Sequence, residues 1–237
     1  EGWEVASVPT LEYERVIIED SSAAVNSNDI MGGRARVDIS VRPGTLMGYV
    51  SLAGFVDDDT SGLHFNETPE TIAHGLTGLQ WFEAGRVLQL NMGLRMDQRE
   101  DPSEGADRLA HIDGDVSVPV GAHDHIEVAF DVKRFFWGIN ASQQTDFTEM
   151  ANALTWHHGK KWMLQIYQDW TDNPLIRSEG NLAENLYGAL ELTYEPRTGS
   201  QIKAFYGAYK AGIRCAGGQC RSLPGFEGGR VSWQTVF

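Results

Sequence analysis

The sequence predicts an all-β fold: a single antiparallel up-and-down β-barrel of about 12 strands, crossing a membrane. Three observations point there. Apolar and polar residues alternate with period two through most of the chain; short and long connections alternate along it; and one strand pattern runs for about eleven residues, twice the usual soluble strand.

The last stretch, Arg230 to Phe237, shows the alternation compactly. Val231, Trp233, Thr235 and Phe237 share one face of an extended strand, and Arg230, Ser232, Gln234 and Val236 share the other. One face is mostly apolar and one mostly polar, with an aromatic residue at the end.

The same period marks the other strands. Leu11 to Asp20 comes first. In Ala35 to Arg42, Ala35, Val37, Ile39 and Val41 oppose Arg36, Asp38, Ser40 and Arg42. Gly48 to Val56 and Gly75 to Phe82 follow. From Val87 to Asp97, Leu88, Leu90, Met92, Leu94 and Met96 oppose Gln89, Asn91, Arg95 and Asp97. In Ala110 to Val120, Ile112, Val116, Val118 and Val120 oppose His111, Asp113, Asp115 and Ser117. Ile126 to Lys133 sets Ile126, Val128, Phe130 and Val132 against Glu127, Asp131 and Lys133. Met150 to His157 is less regular. Trp162 to Trp170, Tyr187 to Glu195 and Gln201 to Tyr209 lead to the closing strand.

Five connections carry tight-turn residues: Pro43-Gly44, Ala84-Gly85, Gly121-Ala122, Gly159-Lys160 and Pro196 to Gly199. Between them lie Ser21 to Arg34, Asp57 to Thr71, Gln98 to Arg108, Gly138 to Glu149, Thr171 to Asn185 and Gly212 to Glu227. Each is roughly 11–16 residues long, where connections in compact domains have a median near 4–6. In an up-and-down barrel alternate connections share a rim, and outer-membrane barrels keep short turns on the periplasmic side and long loops outside. The pattern therefore predicts a bacterial outer-membrane location, with the final strand running inward to a periplasmic Phe237. Trp162, Trp170, Trp233 and Phe237 are expected as membrane-interface aromatics.

Composition narrows the alternatives. Apolar residues form 41% of the 237, and no uninterrupted apolar run reaches the length of a spanning helix. A net charge of −14 argues against a nucleic-acid partner, which calls for a basic surface. The 26 Gly, 7 Trp, 7 Tyr and 10 Phe suit a barrel with Gly turns and aromatic girdles. A soluble, secreted β-sandwich binding protein would alternate too, but with its apolar face inward and strands nearer 5–6 residues.

Cys215 and Cys220, in Cys-Ala-Gly-Gly-Gln-Cys, would close a small disulfide loop in an oxidising compartment. A zinc site is the other reading, but two thiols give too few ligands. Glu1-Gly-Trp-Glu has neither the basic start nor the apolar run of a signal peptide, so the chain is expected to be mature or part of a longer one.

The segment Phe205-Tyr206-Gly207-Ala208-Tyr209-Lys210-Ala211-Gly212-Ile213-Arg214-Cys215, with Cys220-Arg221, Pro224-Gly225-Phe226-Glu227-Gly228 and the closing strand, resembles the C-terminal region of a family of uncharacterised bacterial outer-membrane β-barrel proteins. The resemblance covers about 35 residues through the Tyr-Gly before the loop, the paired cysteines followed by Arg, and the Pro-x-Phe-x-Gly lead-in. It implies fold and location, and supplies no catalytic residue. Proteins of that family are longer, which leaves two expectations open: residues 1–237 form one barrel domain, or the C-terminal part of a larger one.

For function, Arg36, Asp38, Arg95, Asp97, Asp113, Asp115, Glu127, Asp131 and Lys133 are expected to face a lumen in which carboxylates prevail, as in a cation-preferring pore. Outer-membrane lipid is the expected surrounding, with other outer-membrane or periplasmic proteins as candidate partners of a non-conducting scaffold barrel. Asp57, Asp58 and Asp59 are weak Ca²⁺ candidates, as are Asp97, Glu100, Asp101, Glu104 and Asp107, since neither group has EF-hand spacing. His123-Asp124-His125 and His157-His158 sit at turns, with no third metal ligand placed by sequence. No enzyme and no cofactor are expected. Gly-x-Ser-x-Gly is absent, Ser117 and Ser232 have no histidine partner by motif, and His111 lies about 20 Å along the strand from Ser117.

Overall fold

Residues 30–57, 71–98, 106–136, 146–173, 180, 182–210, 212–216, 219–223 and 226–235 are described by a computed structural model of the chain. Within the described residues the period-two segments become strands: β1 (Ile30–Arg42), β2 (Leu46–Asp57), β3 (Thr71–Glu83), β4 (Arg86–Gln98), β5 (Ala106–Val120), β6 (Asp124–Phe136), β7 (Asp146–His158), β8 (Trp162–Thr171), β9 (Leu186–Arg197), β10 (Ser200–Tyr209) and β13 (Phe226–Thr235). They form one 11-stranded sheet in the order β1-β2-β3-β4-β5-β6-β7-β8-β9-β10-β13. Every neighbour pair is antiparallel. The described residues contain no helix long and apolar enough to cross a membrane.

One expectation lies outside the described residues, the strand over Leu11 to Asp20, so eleven strands form the sheet among the residues described. Two others need correction. The Gly212 to Glu227 connection, expected as a plain loop, carries its own two-stranded hairpin, β11 (Gly212–Ala216) with β12 (Gln219–Leu223). The Gly-Gly dipeptide between the two strands is a hairpin turn composition. Second, the described residues do not close a barrel: β1 and β13 are the two ends of the sheet and are not paired with each other. The reason is parity. Each strand reverses the one before it, so the first and eleventh strands run the same way, and an antiparallel ladder cannot join them.

All five tight turns form where the Gly and Pro signals place them. The β3–β4 connection is just Ala84-Gly85, both at positive φ (52° and 76°). That is the two-residue geometry whose twist matches the flanking strands. Register shifts occur at Ser40/Arg42 and Ser200/Ile202, both next to turns, where bulges adjust a sheet's rim.

Side-chain burial is inverted relative to a soluble sheet. On one face Val37, Ile39, Val41, Leu52, Met92, Leu94, Leu154, Ile166 and Leu190 are exposed, Leu94 by 69%. On the other, Ser51, His74, Asn91, Arg95, His111, Lys133, Thr155, Asp169 and Thr193 are buried, Asn91 to 1% exposure, interspersed with buried Leu76, Leu109, Phe147, Tyr187 and Phe205. A two-sheet sandwich is not the arrangement of the described residues. Its apolar side chains would meet between two layers, and here a single sheet carries them on its open face.

Ala84 pays the left-handed backbone cost that Asn avoids at this turn position. Ala84→Asn is expected to raise stability by up to about 1 kcal/mol, read as a higher urea midpoint with an unchanged slope.

Candidate functional site

The sheltered polar face is the candidate site. Arg36 and Asp38 on β1, Arg95 on β4, Asp113 and Asp115 on β5, and Glu127, Asp131 and Lys133 on β6 share it by strand parity. Burial grades with position in the sheet. Arg95 and Lys133 are nearly fully buried between strands on both sides, whereas Asp38 on the end strand is exposed. Asp97 lies at the end of β4, and its side chain is outside the description. Asp113 and Asp131 stand directly opposite each other across β5–β6, a like-charge juxtaposition that neighbouring donors must offset.

Those donors belong to a network running from β1 to β5. The Arg36 guanidinium lies 4.0 Å from the centre of the Tyr49 ring and bonds Asp38 through Nε (2.9 Å) and Nη2 (2.6 Å). The Tyr49 hydroxyl donates to Oδ1 of Asn91, whose Nδ2 donates to Asp113 Oδ2 at 2.8 Å. His111 Nδ1 lies 3.3 Å from Asp113 Oδ1, and its Nε2 is 3.0 Å from Nε2 of His74. One assignment of protons satisfies every contact: His74 donates to His111, His111 donates to Asp113, and Asp113 accepts from both sides. On β6, Lys133 Nζ lies 3.2 Å from Asp131 Oδ2. The two facing carboxylates thus each have a donor of their own.

Two inward glycines make the network possible. Tyr49 must cross β3 to reach β4, and it does so over Gly78, where an added Cβ would sit 2.2 Å from the ring. His111 must cross β4 to reach β3, and it does so over Gly93, where a Cβ would sit 2.3 Å from Nε2. The side chains therefore lie along the wall instead of standing up from it. The sequence places Asn91 and His111 on polar faces but does not reveal their partners. A glycine at an inward position beside a bulky inward residue was the available signal for such close approach.

A second cluster sits near the turn rim. Ser117 Oγ is 2.5 Å from His125 Nε2, so Ser117 does have a histidine partner, contrary to the motif-based expectation. The β5–β6 hairpin pairs Pro119 with His125 and brings the two within reach diagonally. His157 faces His125 across β6–β7, and its Nε2 lies 3.9 Å from Glu127. Among the described residues no carboxylate orients His125, so the nucleophile–base–orienter arrangement of a hydrolase is not assembled. As expected for the distant pair, His111 and Ser117 engage different partners.

The His123-Asp124-His125 stretch is split by the strand period. Asp124 Oδ1 accepts from Trp156 Nε1 (3.0 Å) and His158 Nδ1 (2.9 Å) on the outer face, while His125 turns to the inner one. Among the described residues no group of three or more His, Cys, Asp or Glu could hold a metal ion. Asp57 ends β2 opposite Ile30, and its side chain is outside the description; Asp58 and Asp59 lie outside the described residues altogether.

The aromatic positions fall at strand ends. Trp162 stacks on Tyr194 at 4.3 Å beside the β7–β8 turn, and Trp233, 75% exposed, donates to Ser200 Oγ at 3.3 Å near the β9–β10 turn. Trp170 lies at the opposite end of β8. Phe237 lies outside the described residues. Comparison of the chain with family models, with curated proteins and with solved structures gave no match.

Gly78→Ala and Gly93→Ala should each displace a networked ring and cost on the order of 1–3 kcal/mol, as overpacking does. Gly54→Ala, with nothing within 4 Å of its added Cβ, should leave stability within about 0.5 kcal/mol. Denaturant titration of the three variants side by side checks the contrast.

Proposed function

We propose that the chain forms the wall, or the C-terminal part of the wall, of a bacterial outer-membrane β-barrel that acts as a cation-preferring pore. The observation that carries this reading is the inversion of burial: apolar side chains are exposed across the sheet while Asn, Thr, His, Lys and Arg are sheltered. A soluble monomer rarely exposes a contiguous apolar patch beyond a few hundred Å², whereas lipid favours such a band. Strands of 10–15 residues match the length a tilted strand needs to cross a bilayer, and tryptophans at both ends of β8 suit two interfacial girdles. In this reading the tight turns are periplasmic and the long connections face outward.

Cation preference rests on the sheltered face. There Asp38, Asp113, Asp115, Glu127, Asp131, Glu149, Asp169 and Glu191 outnumber Arg34, Arg36, Arg95, Lys133, Lys203 and Arg230. Tyr49 and His111 lie flat over glycines, so the network coats the wall instead of projecting from it, which favours an open lumen over a filled one. A second reading, a filled barrel serving as a scaffold for other envelope proteins, is favoured by the near-complete burial of Asn91, Arg95, His111 and Lys133. In the envelope, Cys215 and Cys220 would form a disulfide. They are direct partners in the β11–β12 ladder, where opposed Cα atoms are about 4.5–5.5 Å apart, within the span a disulfide bridges.

The test is single-channel recording of the purified protein in a planar bilayer. Stepwise conductance with a cation-selective reversal potential is expected, and Asp115→Asn with Glu127→Gln should move that potential toward zero. A protein that inserts but never conducts favours the scaffold. Leu52→Arg, on the outer face, should cost about 2–4 kcal/mol in lipid vesicles, against about 0–0.5 kcal/mol for a protein whose outer face meets water. Maleimide labelling of the unreduced, unfolded protein should modify neither cysteine.

A further inference from the structure

The two ends of the sheet are the largest feature that the pore reading does not use. Along their outer edges β1 and β13 have no partner strand among the described residues. Their outward side chains Val37 and Val231 are exposed like the outer face elsewhere, where Leu52 and Leu94 also stand bare. In lipid every backbone N–H and C=O group along such an edge must be paired.

The topology limits what can pair them. Since β1 and β13 run in the same direction, an antiparallel wall closes only through an odd number of intervening strands. A second copy related by rotation about the membrane normal presents the same directions, and it would again set β13 parallel to β1. The occupant must run from the turn rim to the loop rim.

We infer that the edges of β1 and β13 are one docking site, and that Leu11–Asp20 of this chain fills it as a twelfth strand, antiparallel to both. This rests on the membrane reading above. The segment precedes β1, so it reaches the loop rim before the chain turns down into Ile30. Residues 21–29 between them provide a connection of the size found elsewhere on that rim. At about 3.3 Å per residue the segment spans roughly 33 Å, enough to match the ten residues of β13. Twelve strands also restore the even count of single-chain bacterial barrels.

Cross-linking of the full chain in detergent or vesicles tests the inference, in a Cys215→Ser, Cys220→Ser background. A cysteine is placed in turn at Tyr13, Arg15, Val16, Ile17 and Ile18, and paired separately with Val37→Cys and with Val231→Cys. At least one position should form a disulfide with each strand, in protein that keeps its mobility difference between unboiled and boiled samples. Val37→Cys with Val231→Cys should form none. A direct Val37–Val231 cross-link would establish a parallel seam and overturn the inference. So would failure of every segment position to react in protein that retains the mobility difference, since the wall would then be closed by another strand. A parent protein that lacks that difference and stays monomeric without detergent overturns the membrane reading itself.

Discussion

The antiparallel backbone ladder is the constraint on which everything else depends. Each strand from β1 to β10 pairs with its chain neighbours, and β13 takes the next place after the β11–β12 hairpin has been set aside. Because all pairing is nearest-neighbour, the described residues add no second layer over either face of the sheet. The period-two side-chain pattern then decides which face meets which medium, and a one-residue register slip would exchange them along a whole strand. The tight turns, with Gly44, Gly85, Gly121, Gly159 and Gly199 at positive φ, hold that register from one hairpin to the next.

Given that ladder, the inner face has a satisfaction problem that its residues solve in large part, with Ser51 Oγ and Thr193 Oγ1 buried without a hydrogen-bond partner among the described residues. Buried polar groups are costly unless every donor and acceptor finds a partner, and a network of them gains from a consistent direction of donation. Here the direction converges on Asp113, reached from Tyr49 through Asn91 and from His74 through His111. Asp113 is thus supplied with donors opposite Asp131, and Lys133 serves the second carboxylate. A lumen lined this way would present fixed dipoles as well as charges to passing ions. That links the stability of the wall to the selectivity proposed for it.

Much of this was legible in the sequence. Exception-free alternation in Ala35–Arg42 and the long run Val87–Asp97 became β1 and β4 with their ends extended by a few residues. The extensions reach into segments that read as loops because polar residues such as Arg108 and Thr148 sit on ladder positions near the rim. The faces of Arg95, Asp113 and Lys133 followed from parity alone. Less legible were contacts that skip a strand, because Tyr49 to Asn91 and His74 to His111 join residues 42 and 37 apart that no local pattern connects. The Ser117–His125 contact was hidden for a milder reason, a diagonal across a hairpin whose centre had to be known first.

What the sequence by itself determined is the strand period, the turn positions and the assignment of each side chain to one of two faces. These depend only on chemistry within a few residues. The tertiary structure decided which face is sheltered, how the facing carboxylates are reconciled, and that β1 and β13 point the same way. Those outcomes depend on the register and number of strands, which are properties of the whole sheet.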